Sequence, residues 1–324
     1  MSILDARSST RVDVRQISLR GRSRMPRVTV DSGVPGPKVV VAGNLHGDEV
    51  TGVVALQDLA AWLPTAIRRG RVTMFPSLNP RGLERGSRAV PGDTDDPNRH
   101  FPGDAKGTPA EQHAQAVWKA LDAEAPEFVI DLHADAVVAI PYALVDRVLD
   151  GRSGLFDRCA ALATASGLTV VREYPLAQYH AFGLARSFTG AVTNGMGIPS
   201  VTLEIGPRRA IDPQAIDAAG YALRGMLGHI GVVEVEAKPH QTRVVGGPWR
   251  RENGPRTTAT GLVVPVVLPG VPLEAGAAIV EVRDVSGQVL DRVAMPVPGF
   301  VMSFPDQAWL AAGVAAATLA VRDD

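Results

Sequence analysis

The chain has 324 residues, 45% of them hydrophobic, and its 33 basic and 34 acidic side chains leave a formal net charge of -1. That size and apolar content allow one large core, or a large and a small domain. Scattered basic residues, only four Tyr and only eight Phe argue against nucleic-acid binding. The stretch MSILDARSSTRVDVRQ has charges from Asp5 onward and no apolar segment, and no run of about 18 apolar residues follows. The expectation is a cytoplasmic protein without membrane association. A single cysteine, Cys159, excludes an internal disulfide, fits a reducing compartment, and reads as a small buried helix residue.

In chain order, KVVVAG (38–43) predicts a buried strand and EVTGVVALQDLAAWL a helix after it. RVTMFPSLN (71–79) predicts a second strand. From Asn79 to Thr108 the chain is rich in Gly and Pro and shows no period, a loop length that is uncommon unless it serves a site. PAEQHAQAVWKALDA predicts a helix, followed by strands at EFVIDLHA (127–134) and VVAIPYALV (137–145). A helix at SGLFDRCAALATAS, strands at LTVVREY (168–174) and PSVTLEIG (199–206), and a helix at PQAIDAAGYALRGMLGHI complete the alternation. Repeated strand–helix units imply a mostly parallel mixed sheet covered on both faces by helices. After Lys238 the chain is rich in Val, Pro and Gly with short strands, which predicts a small all-β domain. The expected division is 1–236 and 237–324.

Ligands of open α/β sheets bind beyond the carboxyl ends of the strands. His46 and Glu49 follow the first strand, His133 closes the strand at 127–132, and Glu204 lies near the end of the strand at 199–205. If those strands are parallel, the side chains converge, and two His with one carboxylate form a catalytic zinc set with an open fourth position. His-x-x-Glu alone is a weak signal, and a histidine after an apolar strand is more often an ordinary polar residue. The combination carries the reading.

The ordered set GNLHGDE, SLNPRGLERGSR, PNRHFPG, VIDLHAD and VTLEIG resembles the succinylglutamate desuccinylase and aspartoacylase family of the zinc carboxypeptidase-like clan. The resemblance spans nearly the whole chain, since GLVVPVVLPGVPLEAGAAIVEVRDVSGQVL and MPVPGFVM are similar to the family's C-terminal barrel-sandwich domain. It implies that His46, Glu49 and His133 hold one zinc per chain and that Glu204 is the general base toward the attacking water. It further implies that Arg88 stabilises the oxyanion and that Asn98 and Arg99 bind a substrate carboxylate. An arginine fork suits a carboxylate in a way that a lysine does not. Taken singly, Arg81, Arg85, Arg88 and Arg99 would read as solvated loop residues. Asp131 either orients His133 or faces solvent, and His180 sits in a loop that could overhang the site.

Two departures stand out. Pro97 replaces a leucine of the family pattern in DPNR, stiffening the backbone before Asn98. Asp93, Asp95 and Asp96 would repel an anionic substrate if they face the pocket, so strongly acidic substrates are not the first expectation. No lysine follows Lys238, which excludes a lipoyl or biotinyl swinging arm, and the C-terminal domain is expected to cap the site or to build a homo-oligomer contact. The reading is a zinc-dependent deacylase acting on a small N-acyl amino acid-like substrate. The alternatives are a metallocarboxypeptidase and a catalytically silent ligand-sensing homologue.

Overall fold

The computed structural model describes residues 10–19, 23–234 and 244–323. Two antiparallel strands, β1 (Arg11–Ser18) and β2 (Arg24–Asp31), come first. They precede β3 (Lys38–Gly43), α1 (Thr51–Ala66) and β4 (Arg71–Phe75). The hairpin is absent from the sequence expectation because β1, RVDVRQIS, lies at the sheet edge with most of its residues exposed and shows no apolar run. β4 stops at Pro76, and Asn79 then caps a short helix, α2 (Pro80–Arg85), by accepting from Gly82 N. The aperiodic loop therefore starts with a helical turn and contains a 3-10 turn at Pro97–Arg99.

α3 (Pro109–Asp122) opens with a capping box between Thr108 and Glu111. β5 (Phe128–His133) follows, and then the expected strand at 137–145 is split at Ile140-Pro141 into β6 (Val138–Ala139) and β7 (Tyr142–Val145). Proline has no N–H for a ladder, so the two pieces join different partners. α4 (Ser153–Ala165), β8 (Thr169–Arg172), α5 (Leu176–Ala181), α6 (Phe188–Ala191), β9 (Ser200–Glu204) and α7 (Pro213–Ile230) complete the α/β part.

The C-terminal segment is all β: β10 (Trp249–Asn253), β11 (Gly261–Pro265), β12 (Ala278–Arg283), β13 (Val289–Ala294), β14 (Gly299–Phe304), β15 (Trp309–Leu310) and β16 (Thr318–Arg322). Among the described residues the sheets are a 12-stranded one, ordered β1-β2-β4-β3-β5-β9-β7-β8-β10-β16-β14-β6, and a four-stranded one, ordered β13-β12-β11-β15. The large sheet is mixed: β4, β3, β5 and β9 are parallel, whereas β7 runs antiparallel to β9 and parallel to β8. The expected division at residue 236 falls outside the described residues; the expected small C-terminal β domain is present, its own four-stranded sheet formed by β11, β12, β13 and β15, while β10, β14 and β16 pair onto the large sheet.

Helices cover both faces. Leu56, Leu59 and Leu63 of α1, Leu155 and Leu162 of α4, and Leu223, Met226 and Leu227 of α7 pack with Val41, Ile130 and Leu203 on one side. On the other, Ala114, Val117 and Leu121 of α3 and Phe188 of α6 meet Val40, Val129 and Phe75. Burying each large apolar side chain contributes about 1.5–3 kcal/mol, so the strands that carry the site are fixed from above and below. Cys159 is buried and unpaired in α4.

Candidate active site

The turn after β3 is held by Asn44, which adopts a left-handed backbone with φ 58° and is fully buried. Its Nδ2 reaches the carbonyls of His46 at 3.0 Å, Gly47 at 3.2 Å and Glu49 at 2.9 Å. Ser77 donates to its Oδ1 at 2.6 Å. Gly47 is obligatory for a different reason: a Cβ there would lie 2.0 Å from the backbone of Gly82, where α2 crosses the turn. The result is a rigid turn that presents His46 and Glu49 in the same direction.

His133 joins them from the end of β5. The ligand-capable atoms of His46, Glu49 and His133 lie within 4.8 Å of one another, and all three residues are buried. His46 Nδ1 is 2.8 Å from Glu49 Oε1, His133 Nδ1 is 2.8 Å from Glu49 Oε2, and the two Nδ1 atoms are 3.2 Å apart. Two imidazole nitrogens and both carboxylate oxygens thus crowd one point, the donor set that suits zinc. The outer nitrogens are also engaged, as ligating histidines require: His133 Nε2 lies 2.7 Å from Asp131 Oδ2 and His46 Nε2 lies 2.9 Å from Asp96 Oδ1. Burial alone would raise the Glu49 carboxyl, yet the two rings hold it well below its usual range. For His133, burial opposes protonation, but Asp131 and Glu49 outweigh it and shift the ring upward.

The loop at 88–99 wraps the triad. Arg88 Nη1 donates to Glu49 Oε1 at 3.0 Å and its Nη2 to Asp96 Oδ2 at 2.8 Å. Of the three aspartates expected to repel an anion, only Asp96 reaches the site, and His46 and Arg88 take up its charge. Asp93 caps α3 through Ala110 N at 2.9 Å, and Asp95 is exposed. Asp96 also accepts from Asn98 N at 2.8 Å, so Pro97 starts a capped turn. Asn98 Oδ1 is taken by Phe188 N at 2.7 Å, and Arg99 Nη1 donates to the Asn98 carbonyl at 2.7 Å; both side chains line the cavity.

That cavity, about 250 Å³, is bordered by the triad, Arg88, Asn98, Arg99 and Glu204. Glu204 ends β9 directly opposite His133, and its Oε2 is buried with no hydrogen-bond partner among the described residues. Burial pushes its carboxyl up to about 8, with His133 pulling it down and Asp135 and Glu49 adding to the rise. Sequence reasoning missed the far wall: Asp135, Asp146, Glu173, Arg208 and Arg251. Glu173 follows β8 and Asp146 follows β7, positions at strand ends that carried a readable signal. Arg251, on β10, had none, since nothing local ties the C-terminal segment to the cavity. His180 is exposed and does not line it, whereas its neighbour Tyr179 donates to Asp146 Oδ1 at 2.8 Å.

Residues 35–230 match the family model described as the succinylglutamate desuccinylase/aspartoacylase catalytic domain. The chain belongs to the succinylglutamate desuccinylase/aspartoacylase family. It is 29% identical over 262 residues to the N-alpha-acetyl-L-2,4-diaminobutyric acid deacetylase of Halomonas elongata, covering 80% of this chain and 74% of that one. A succinylglutamate desuccinylase/aspartoacylase from Rhodobacter sphaeroides has the same fold, with a TM-score of 0.79 and 22% identity over 100% of this chain and 99% of that one. A metallo-carboxypeptidase from Burkholderia cenocepacia shares it more loosely, with a TM-score of 0.55 and 18% identity over 69% and 65%. Members of the family are deacylating hydrolases that act on amides. No helix among the described residues is long and apolar enough to cross a membrane.

Proposed function

We propose that this protein is a zinc-dependent amidohydrolase that removes an acyl group from the amine of an amino acid or a related small metabolite. The observation that carries the reading is the buried His46–Glu49–His133 set with its atoms within 4.8 Å, facing Glu204. The three side chains would hold one zinc per chain. Bound there, zinc would polarise the scissile carbonyl and acidify the attacking water.

The chain's own groups do the rest. Glu204, with a free Oε2 inside the cavity, takes the proton of the attacking water and returns it to the leaving amine. Arg88 places a guanidinium beside Glu49, where it offsets the negative charge that grows on the carbonyl oxygen. Asn98 and Arg99, at the cavity wall, receive the substrate carboxylate. Asp131 and Asp96 fix the two imidazole rings.

The cavity favours deacylase over carboxypeptidase. Its volume of about 250 Å³ is below the range of about 300–1,000 Å³ usual for drug-sized ligands, and so accommodates one small molecule and not a peptide segment. Glu204 speaks against a silent sensor, which has no use for a buried base. The test compares kcat/KM on N-acetyl amino acids with that on a blocked tetrapeptide. Preference for the acyl amino acids is expected; equal or better cleavage of the tetrapeptide would move the assignment to a carboxypeptidase, and no hydrolysis of either would leave the silent homologue.

A further inference from the structure

The outer edge of β1 has no partner among the described residues: β1 stands at one end of the large sheet and pairs only with β2. The other end, β6, is two residues long and is followed by Pro141, which has no N–H to offer a neighbour. β1 is an eight-residue strand without proline. It presents a full row of backbone donors and acceptors, the template on which another strand pairs.

The two faces of β1 differ. Val12 and Val14 stand opposite Val30 and Val28 of β2 and share their face of the sheet. Val30 is buried in the core beneath α1, and Val28 packs against that core. Val12 and Val14, one strand farther out, are 51% and 66% exposed. The apolar face of the sheet therefore continues past the helix that covers it.

The other face carries Arg11, Asp13 and Arg15. Arg15 lies directly opposite Arg27, a like-charged neighbour of the kind that weakens a strand pair. Both arginines draw on Asp13, Arg15 Nε at 2.9 Å and Arg27 Nη2 at 3.3 Å. Arg27 also has Glu124 at 3.2 Å, whereas Arg15 pairs with no other acid among the described residues. The side chains of Arg15 and Asp13 are 67% and 42% exposed, open to a partner from outside.

We propose that two copies of this chain join edge to edge through β1, antiparallel about a two-fold axis at Val14, so that their large sheets run on into one. In this register Val14 faces Val14 of the second copy, Val12 faces Gln16, Arg11 faces Ile17, and Asp13 faces Arg15. Symmetry makes each unlike pairing occur twice. Val12 and Val14 of both copies form one apolar patch across the axis, and each Arg15 gains the second carboxylate that its own chain does not supply. The charges select the register. A slip by one residue sets Val14 against Asp13 or Arg15. A slip by two sets Asp13 against Asp13 and Arg11 against Arg15 in one direction, and Arg15 against Arg15 in the other. The contact is independent of the chemistry in the cavity.

Sedimentation velocity on the full chain, from low to high micromolar concentration, should show a monomer–dimer equilibrium. Val14→Cys places a thiol on the axis, where opposite Cα atoms are about 4.5–5.5 Å apart, within disulfide reach, and oxidation should yield a covalent dimer. Val12→Cys should not crosslink, because position 12 lies four residues from its own symmetry copy, about 14 Å at roughly 3.4 Å per residue. The natural Cys159 is buried and adds no background. Arg15→Glu and Asp13→Lys, each alone, set like charges opposite each other at both symmetric positions and should weaken self-association about tenfold. An equimolar mixture of the two variants restores opposite charges at both positions and should dimerise as the wild type does. A monomer at every concentration, a dimer indifferent to both charge variants, or Val12→Cys crosslinking as fast as Val14→Cys would overturn the contact. If a charge variant fails to fold, the wild-type mass and the two cysteine variants decide by themselves.

Discussion

His133 and Glu204 stand opposite each other across the parallel strands β5 and β9, one in the candidate metal triad and the other with a free carboxylate oxygen beside it. The pairing register fixes their separation, so the candidate base cannot drift from the candidate ligand without breaking the ladder. Glu204→Gln preserves the shape and removes the basicity. Turnover is expected to fall by about 10² to 10⁴, the usual range for a general acid or base, with zinc content and far-UV circular dichroism unchanged. Loss of zinc in this variant would make Glu204 a ligand.

The outer partners of the histidines give a graded prediction. His46→Ala and His133→Ala remove a ligand and should abolish stoichiometric zinc binding. Asp131→Asn leaves the ligands in place but weakens the 2.7 Å contact that orients His133, and should weaken zinc affinity by about 10- to 100-fold. A competitive chelator titration measures both, and an Asp131 variant with wild-type affinity would return Asp131 to a purely packing role.

Arg251 links the C-terminal strands to the cavity through Glu173. Its side chain is 16% exposed and that of Glu173 4%, so Arg251→Ala strands a buried carboxylate. Breaking a buried pair from one side costs about 3–5 kcal/mol. Urea unfolding should show that loss in Arg251→Ala, and the double variant Arg251→Met with Glu173→Gln should recover most of it, since the neutral pair leaves no unpaired charge.

Asp146 predicts a pH dependence of stability. Its folded carboxyl, raised from 3.8 to about 7 by burial and Glu173, holds its proton more tightly than the unfolded chain does. The stabilisation is complete below about pH 4 and is lost as the pH rises through 7. Asp146→Asn lacks that loss. In ligand-free protein the variant should gain on the wild type as the pH rises from about 4 to about 7, by up to about 4 kcal/mol at 1.36 kcal/mol per pH unit. Parallel stability–pH curves would show that Asp146 ionises normally.

The sheet and the triad were legible because each rests on a local signal: uninterrupted apolar runs mark β3, β5 and β9, and parallel strands bring their ends to one edge. The N-terminal hairpin was not, because β1 is an exposed edge strand without an apolar run. Pro141 split a single expected strand into pieces on distant parts of the sheet. The acidic loop looked hostile to anions, yet Asp96 is occupied by His46 and Arg88. Arg251 was invisible because its place depends on how β10 joins β8, a long-range pairing that no local pattern records.

The central claim is that hydrolysis depends on zinc held by His46, Glu49 and His133. Metal-stripped protein, titrated with zinc while hydrolysis of an N-acetyl amino acid is followed, tests it most directly. Activity should be absent at the start, rise linearly, and level off at about one zinc per chain, with no recovery in His133→Ala. Full activity in the stripped protein, or equal recovery in that variant, would contradict the account.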